Sequence, residues 1–195
     1  MVSVHMAHAL TAARLLLTVP FALVMAHGSA RAAWLAALTL TVAITTDLLD
    51  GAIARRQGTA SAAGGVFDHT TDCLFVTVGL AAGAMRGAVP WLLPVLVAAA
   101  FAQYVVDSYW LHRGRSLRTS RLGRWNGILY FAPLGGDILI RLGLPSLRPL
   151  LAAMVWLLVA STVLSMGERL VLLFTARRRG GPASPAGERR DRFPR

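Results

Sequence analysis

The chain has 195 residues, of which 55% are hydrophobic and only 15% are charged, and its mean hydropathy is positive. That composition excludes a disordered chain and is atypical of a water-soluble domain of this size. The formal net charge is +11 and all twenty basic residues are arginine. Because these arginines are grouped by loop, we interpret the charge as membrane topology and expect no nucleic-acid partner.

Six apolar stretches along the chain predict an all-α integral membrane protein. A helix that spans a bilayer needs about 20 mostly apolar residues, and each stretch lies within a window of that length. We therefore expect six transmembrane helices preceded by a short interfacial N-terminal helix, with five or seven spans as the alternatives. The stretches are Leu15–Ala26, Ala32–Ile44, Cys73–Met85, Ala88–Val106, Gly127–Ile140 and Leu150–Phe174.

The first spans follow an N-terminal segment of mild polarity. Residues 3–13 suit a helix that lies at the membrane interface before the chain turns into the bilayer. At the junction, the long side chain of Arg14 can snorkel toward lipid phosphates. We expect the second helix to run from about Ala32 to near Gln57. A short turn of small residues then makes the third helix, which begins near Gly64, antiparallel to it.

Prolines and charged loops delimit the later helices. Pro90 and Pro94 open the fourth span, where early prolines are tolerated, and an arginine-rich loop over residues 112–124 precedes the fifth. Residues 1–175 are predicted to form one transmembrane domain. Residues 176–195, which are rich in Arg, Pro and Gly, are predicted to form a disordered basic cytoplasmic tail. The single cysteine, Cys73, excludes an intramolecular disulfide.

The arginines are divided unequally between the two predicted sides of the membrane. With six spans and a cytoplasmic N-terminus, the inner side receives Arg55, Arg56, the arginine-rich loop and the tail. The outer side receives only Arg31, Arg86, Arg141 and Arg148. This asymmetry follows the positive-inside rule and predicts an inner (plasma) membrane protein with both termini in the cytoplasm. Basic loops beside a membrane also suit anionic lipid headgroups.

Four of the nine acidic residues lie within the 26 positions from Asp47 to Asp72. A carboxylate at membrane depth is costly, which makes it a functional hypothesis by default. Asp47 and Asp50 share one face of the second helix, and Asp68 and Asp72 share one face of the third. The short turn sets these faces against each other near the cytoplasmic boundary, where four carboxylates cannot all ionise without cations. Oxygen-only ligands favour a hard divalent metal, Mg2+ first and Mn2+ next, and two ions match four carboxylates.

Small residues and one arginine accompany the carboxylates. Gly51, Ala54 and Gly64 remove side chains where a flat base or a phosphate could approach the helices, and Arg55 supplies a forked donor for phosphate oxygens. Close helix packing would account for any one of the small residues alone. The whole spaced set indicates a site for a nucleoside diphosphate.

This set resembles the signature of the CDP-alcohol phosphotransferase family (CDP-alcohol phosphatidyltransferase, class I), D-x2-D-G-x2-A-R-x8-G-x3-D-x3-D. All eight fixed positions are filled, by Asp47, Asp50, Gly51, Ala54, Arg55, Gly64, Asp68 and Asp72. Through the six-helix pattern the resemblance extends over most of residues 5–175. It implies an integral membrane enzyme, usually a homodimer, that uses two metal ions. The acceptor hydroxyl attacks the phosphorus attached to the lipid or alcohol group, and CMP leaves.

The same resemblance implies individual roles. Asp47, Asp50, Asp68 and Asp72 would be metal ligands, with Asp47 and Asp68 bridging both ions. Asp72 would also be the general base for the acceptor hydroxyl, and Gly51 and Arg55, with Ser61 in the turn, would line the site of the CDP donor. The residues themselves agree that a carboxylate takes the proton, but they do not choose Asp72 over Asp68.

Two further segments resemble the branch of the family that transfers to glycerophosphate. The segment from His8 to Arg14 resembles N-x-L-T-x-x-R, with histidine in place of asparagine. The segment from Ser120 to Gly127 resembles S-x-x-G-K-x-K-T; it keeps Ser120 and Gly123 but has Arg, Asn and Gly in place of Lys, Lys and Thr. We expect CDP-diacylglycerol as the donor. Among hydroxyl acceptors we rank glycerol 3-phosphate first, then phosphatidylglycerol, then an inositol phosphate or another alcohol.

Several charged residues lie outside the signature. Asp107 either pairs with a loop arginine or contacts the acceptor, and Arg124 is the first candidate to meet an acceptor phosphate. Asp137 is expected to lie too far from the signature for catalysis, and Glu168 to pair locally with Arg169. Two other functions compete with a transferase. A cation-coupled transporter would require inverted repeats and broken midspan helices, which the sequence does not display, and a non-catalytic scaffold leaves the four carboxylates unexplained.

Overall fold

The fold is all-α, as the apolar stretches predict. The computed structural model describes residues 2–57, 62–106 and 121–179, and it describes side chains within 12–49, 69–106 and 125–171 together with Gly123. Within these residues all regular structure is helical. The helices are α1 (Val2–Ala26), α2 (Ala30–Gln57), α3 (Ala62–Met85), α4 (Leu92–Val106), α5 (Arg121–Leu129), α6 (Phe131–Arg141) and α7 (Arg148–Arg179), with a 3-10 turn at Pro145–Leu147 before α7.

The N-terminal segment differs from the prediction. Instead of a separate interfacial helix and a first span, α1 is one helix from Val2 to Ala26. Residues 3–13 are mostly alanine, leucine, methionine and histidine and contain neither glycine nor proline, so nothing in the local sequence ends the helix before the apolar run. The separate interfacial element is therefore wrong as a prediction.

The predicted fifth span, Gly127–Ile140, is also divided. α5 ends at Leu129 and α6 begins at Phe131, with Tyr130 in a turn between them. Pro133 accounts for the break, because a proline lacks an N–H and its ring clashes with the carbonyl four residues earlier, here that of Leu129. Tyr130 nevertheless keeps helical dihedral angles and donates its backbone N–H to Asn126 O at 2.9 Å. The axis therefore continues through the break.

Two segments are both long and apolar enough to cross a membrane, within the part of the chain that the structure describes. They are Ala30–Leu49 in α2 and Pro145–Val171, which is mostly α7; Ala12–Ala26 and Leu92–Val106 are shorter apolar helices. Long apolar helices are therefore present where the second and sixth spans are expected. The count of six spans stays a prediction. The predicted tail also begins inside a helix, since α7 continues to Arg179; residues 180–195 lie outside the described residues.

Packing of α1 and α3 forms the centre of the bundle. α1 packs against α2 and α3, α3 packs against α4 and α6, and α7 closes the bundle against α4, α5 and α6. The rings of Phe21 and Phe75 stack with their centroids 4.3 Å apart, and both are fully buried. Gly79 brings the two helices close, because a Cβ there would lie 2.5 Å from Phe21 Cε1.

A charged cluster ties together the ends of three helices. Buried Asp137 of α6 forms ion pairs with Arg86, just after α3, and with Arg141 at the end of α6. Arg86 Nε also donates to Met25 O, and Arg141 Nη1 donates to His27 O at 2.7 Å. The arginines thus satisfy carbonyls at the end of α1 that no helical N–H can reach. Asp137 accordingly lies beside the C-terminal end of α3, whereas Asp72 lies near the middle of that helix.

Candidate active site

Two of the signature aspartates come together across α2 and α3. Asp47 lies ten residues before the end of α2, and Asp72 lies in the middle of α3. Both side chains face Arg14 of α1: Arg14 Nη1 donates to Asp72 Oδ1 at 2.5 Å and lies 3.2 Å from Asp47 Oδ1. One guanidinium nitrogen therefore joins carboxylates of two helices. The short turn predicts that these faces of α2 and α3 lie against each other, and Asp47 and Asp72 are placed in this way.

The other signature residues lie around this pair in the chain. Asp50, Gly51, Ala54 and Arg55 follow Asp47 within α2, and Gly64 and Asp68 precede Asp72 within α3. The side chains of this group lie outside the described ones, and Ser61 lies outside the described residues altogether. Their predicted roles, and those of Asp47 and Asp72 as metal ligands, stay predictions.

The described part of the site suits a hard divalent cation. Its donors are carboxylate oxygens, which Mg2+ and Mn2+ prefer, and two of them lie close enough together to share a single nitrogen of Arg14. Among the described side chains no three His, Cys, Asp or Glu residues converge. Of the four predicted ligands, Asp47 and Asp72 have described side chains. They remain partly accessible, with 40% and 21% of their side chains exposed.

A cavity of about 910 Å³ adjoins the two aspartates. Its volume is in the range of sites for organic ligands, and residues of α2 to α7 line it. Most of its wall is apolar. Its polar side chains besides the aspartates are His69, Gln103, Tyr104, Asn126, Tyr130, Thr162, Ser165 and Arg169.

Arg169 of α7 supplies a cation to this cavity. Its guanidinium carbon lies 5.5 Å from the centre of the Tyr104 ring, within the range of a cation–π contact. His69 meets the same ring edge-on, with centroids 5.2 Å apart. The guanidinium passes over Gly123 of α5, where a Cβ would lie 2.8 Å from Arg169 Nη2 and 3.2 Å from Ser165 Oγ. The absence of a side chain at Gly123 therefore permits this placement of Arg169.

Hydrogen bonds fix the wall of the cavity between α5 and α7. Ser161 Oγ donates to Asn126 Oδ1 at 2.7 Å, and Asn126 is buried. The hydroxyls of Tyr130 and Thr162 lie 2.7 Å apart. Because α5 and α7 are joined by these side-chain contacts, Gly123 and Arg169 are held in register.

Sequence reasoning missed the roles of two arginines. Arg14 does not snorkel to a headgroup; only 2% of its side chain is exposed, and it pairs with the aspartates. Arg169 does not pair with Glu168, whose side chain is also described; its guanidinium lies over Tyr104 instead. The signal is a polar stripe at helical spacing. Thr162, Ser165 and Arg169 follow one face of an otherwise apolar helix, as Arg14 and Thr18 do in α1.

The remaining candidates from the sequence are not described in detail. Asp107 and the arginines from 113 to 118 lie outside the described residues, and the Arg124 side chain, although Arg124 is in α5, is outside the described side chains. Their contacts with an acceptor stay predictions.

Comparison with known proteins places the chain in one family. The family model for CDP-alcohol phosphatidyltransferase matches residues 4–175, which is most of the chain. No curated protein matched the chain, and no solved structure matched it either. The matched range includes nearly all of α1, all of α2 to α6 and most of α7, and with them Arg14, Asp47, Asp72 and the cavity. The chain therefore belongs to the CDP-alcohol phosphatidyltransferase family, whose membrane-integral enzymes transfer a phosphatidyl group from a CDP-alcohol.

Proposed function

We propose that this protein is a metal-dependent phospholipid-biosynthetic enzyme that transfers a phosphatidyl group from CDP-diacylglycerol to glycerol 3-phosphate and releases CMP. Phosphatidylglycerol, as in a cardiolipin synthase, and then an inositol phosphate or another alcohol are the next acceptors in order. The observation that carries the proposal is the convergence of Asp47 and Asp72 on one arginine beside a cavity large enough for an organic substrate.

Asp47, Asp50, Asp68 and Asp72 would hold two Mg2+ ions, with Mn2+ as a substitute. When bound, such ions neutralise the charge of the diphosphate and polarise its phosphorus–oxygen bonds. A carboxylate cluster suits this task because its oxygens are hard ligands and its negative charge offsets that of the cations. The proposal is supported by the oxygen-only chemistry of the described pair.

Asp72 is the proposed general base. It lines the cavity, where an acceptor hydroxyl can reach its carboxylate. As the hydroxyl oxygen forms its bond to the phosphorus attached to diacylglycerol, its proton passes to the carboxylate of Asp72. The bond between that phosphorus and the bridging oxygen of the diphosphate breaks, and CMP leaves with the electron pair.

We assign the CDP donor to the part of the site that the signature residues form. Gly51, Ala54 and Gly64 leave room for the nucleotide, and Arg55 and Ser61 donate to its phosphates. Exposed leucine, valine and tryptophan side chains on the outside of the helices support a surface in contact with lipid tails, from which a diacylglycerol donor can enter. We further propose that the enzyme works as a homodimer in the inner membrane, with its active site toward the cytoplasm.

An anionic acceptor is supported by the position of Arg169. This arginine is a cation on the wall of the same cavity as Asp72. Because a guanidinium binds a phosphate through paired N–H donors, an acceptor that carries a phosphate would gain affinity from Arg169. Glycerol 3-phosphate has both the phosphate and the free hydroxyls that the reaction needs, which is why it stands first.

The reaction can be tested with purified protein. With Mg2+ and CDP-diacylglycerol in detergent or nanodiscs, we expect CMP release that depends on the acceptor. Glycerol 3-phosphate should be the best substrate in a panel with phosphatidylglycerol, inositol phosphate and inositol. CMP is measured by chromatography and the lipid product by mass spectrometry, and EDTA should stop the reaction. Folded protein that releases no CMP with any acceptor would contradict the transferase assignment.

The substitution Asp72→Asn tests the assignment of Asp72 as the general base. We expect a fall in kcat of at least about 100-fold, since a positioned general base contributes 10² or more to the rate, with a smaller change in the affinity for the donor. Glu168→Gln removes an exposed carboxylate of α7 and should leave the rate unchanged. If Asp72→Asn retains most of its activity, Asp72 is not the base.

A further inference from the structure

Among the described side chains beside the proposed metal site, Arg14 is the most deeply buried charge. Its side chain is 2% exposed, whereas those of Asp47 and Asp72 are 40% and 21% exposed. Its Nη1 atom lies against one carboxylate oxygen of each aspartate. A buried charge is stable only when it is paired. Arg14 and the two aspartates therefore form one electrostatic unit that extends over α1, α2 and α3.

The position of Arg14 is fixed by the packing of α1. Among the described side chains of α1, Arg14, Thr18, Phe21 and Met25 are buried on one face, at the spacing of successive helical turns. Phe21 stacks on Phe75 of α3, three residues beyond Asp72. Thr18 Oγ1 donates to Arg14 O at 3.1 Å. The aromatic pair holds α1 against α3 about two turns from Arg14. The packing of these two helices therefore places Arg14 beside the aspartates.

The guanidinium contacts carboxylate oxygens that would bind a metal ion in the proposed site. Asp47 Oδ1 and Asp72 Oδ1 both approach Arg14 Nη1. The positive charge of the guanidinium opposes the binding of a divalent cation to the same oxygens, because like charges repel. Without a cation, carboxylates this close would repel each other. One arginine thus substitutes for part of the charge that the metal supplies.

We propose that Arg14 is a positioning residue for the metal site, an internal counter-ion that holds Asp47 and Asp72 together in the metal-free protein and gives them up when divalent cations bind. This inference rests on the metal dependence that is part of the proposed function. In this role Arg14 competes with the metal ions for the two aspartates. A residue that supported the bound metal would have the opposite effect on metal affinity.

The proposal has a defined thermodynamic consequence. If Arg14 and the cation compete for the same oxygens, removal of the guanidinium destabilises the metal-free protein and strengthens cation binding. An arginine that only supported the fold would lower stability with and without the metal. An arginine that helped to hold the metal would, when removed, weaken cation binding. The sign of the change in metal affinity therefore separates the three roles.

The test uses Arg14→Gln in the full-length protein in detergent, with Mn2+ as the probe. Free Mn2+ is measured by its electron paramagnetic resonance signal, and thermal unfolding is recorded in EDTA and in saturating Mn2+. We expect Arg14→Gln to have a lower Tm than wild type in EDTA and to recover most of that difference in Mn2+. Its Kd for Mn2+ should be lower by about fivefold or more, in the range of typical coupling between two sites.

Two further variants control the measurement. Arg14→Lys keeps a cation but lacks the planar fork, so its Kd for Mn2+ should lie between those of wild type and Arg14→Gln. Arg31→Gln removes an exposed arginine near the start of α2 and should behave as wild type. If Arg14→Gln does not fold, Arg14→Lys decides: tighter binding than wild type supports the proposal, and equal or weaker binding contradicts it.

The outcomes separate this inference from the proposed function. Wild-type protein that binds no Mn2+ would contradict the metal dependence itself, and with it the role given to Arg14. Wild-type protein that binds Mn2+ while Arg14→Gln binds it equally or more weakly would contradict only the competition. A Tm deficit that Mn2+ does not restore would likewise make Arg14 a purely structural residue.

Discussion

The role of an individual arginine in this protein depends on the group that its guanidinium contacts. Arg14 and Arg169 both sit in apolar helices, yet one is buried against two carboxylates and the other lies over an aromatic ring at a cavity wall. A guanidinium can do both because it is planar, permanently charged and weakly hydrated. The partner therefore decides whether an arginine neutralises the protein's own acids or stays available to an anionic ligand.

Gly123→Ala tests the role of Arg169 without removing it. The new Cβ would lie 2.8 Å from Arg169 Nη2, so the flexible end of that side chain must move while the fold tolerates the change. We expect the KM for glycerol 3-phosphate to rise roughly tenfold, since a hydrogen bond to a charged group contributes about 1.5–3 kcal/mol. The KM for CDP-diacylglycerol should not change.

Gly167→Ala is the control for this substitution, because nothing lies within 4 Å of the Cβ it adds on α7. Arg169→Gln should raise the same KM as Gly123→Ala does. An unchanged KM for glycerol 3-phosphate in both Gly123→Ala and Arg169→Gln would show that the acceptor phosphate binds elsewhere.

At the level of helices, close approach between α1 and α3 determines how the site is supported. Phe21 is stacked on Phe75 and lies over Gly79, and Leu134 of α6 closes the same pocket. Small residues permit such approach between membrane helices, where packing stabilises association. The helix that carries Asp72 is thus held by aromatic packing one turn from the carboxylate.

Gly79→Ala should destabilise the protein through this contact. Its Cβ would lie 2.5 Å from Phe21 Cε1 and 3.1 Å from Leu134 Cδ2, and both neighbours are fully buried. Overpacking of this kind costs about 1–3 kcal/mol, and about 1 kcal/mol lowers the Tm of a chain of this size by roughly 2–4 °C. Thermal unfolding in detergent measures the effect.

Gly83→Ala, one turn further along α3, provides the comparison. The nearest atom to its Cβ would be Val89 Cγ2 at 3.7 Å, an ordinary contact, so its Tm should match that of wild type or exceed it slightly through better helix propensity. Equal Tm values for the two variants would contradict the close packing at Gly79.

Across the whole molecule, the ion pairs between described side chains lie at two levels. Arg14, Asp47 and Asp72 form one level, and Arg86, Asp137 and Arg141 form the other. Asp72 and Arg86 are fourteen residues apart in the sequence, or about 20 Å along a helix. This spacing suits a site near one membrane boundary and a structural ion-pair cluster near the other.

Topology reporters test this arrangement. Fusions that end at Arg86 and at Ala176 should lie on opposite sides of the membrane, with Ala176 in the cytoplasm, because the inner side carries most of the arginines. Alkaline phosphatase should be active only in the first fusion, and green fluorescent protein should fluoresce only in the second. Both reporters on the same side would contradict the six-span topology.

Much of this protein follows from local sequence. The apolar stretches determine the all-α class, and the eight spaced positions from Asp47 to Asp72 indicate the reaction class, because helical periodicity assigns residues to faces without knowledge of the fold. The family match over residues 4–175 confirms the family. The division at Tyr130 could also have been predicted from Pro133.

Only the tertiary structure decided which partners the charged residues have. Arg14 lies 58 positions before Asp72, and Arg86 lies 51 positions before Asp137. No local pattern links residues so far apart, because their contact depends on how whole helices pack. The sequence therefore predicted that Asp47 and Asp72 face each other across two helices. The packing of α1 against α2 and α3 decided that a buried arginine, Arg14, contacts both carboxylates.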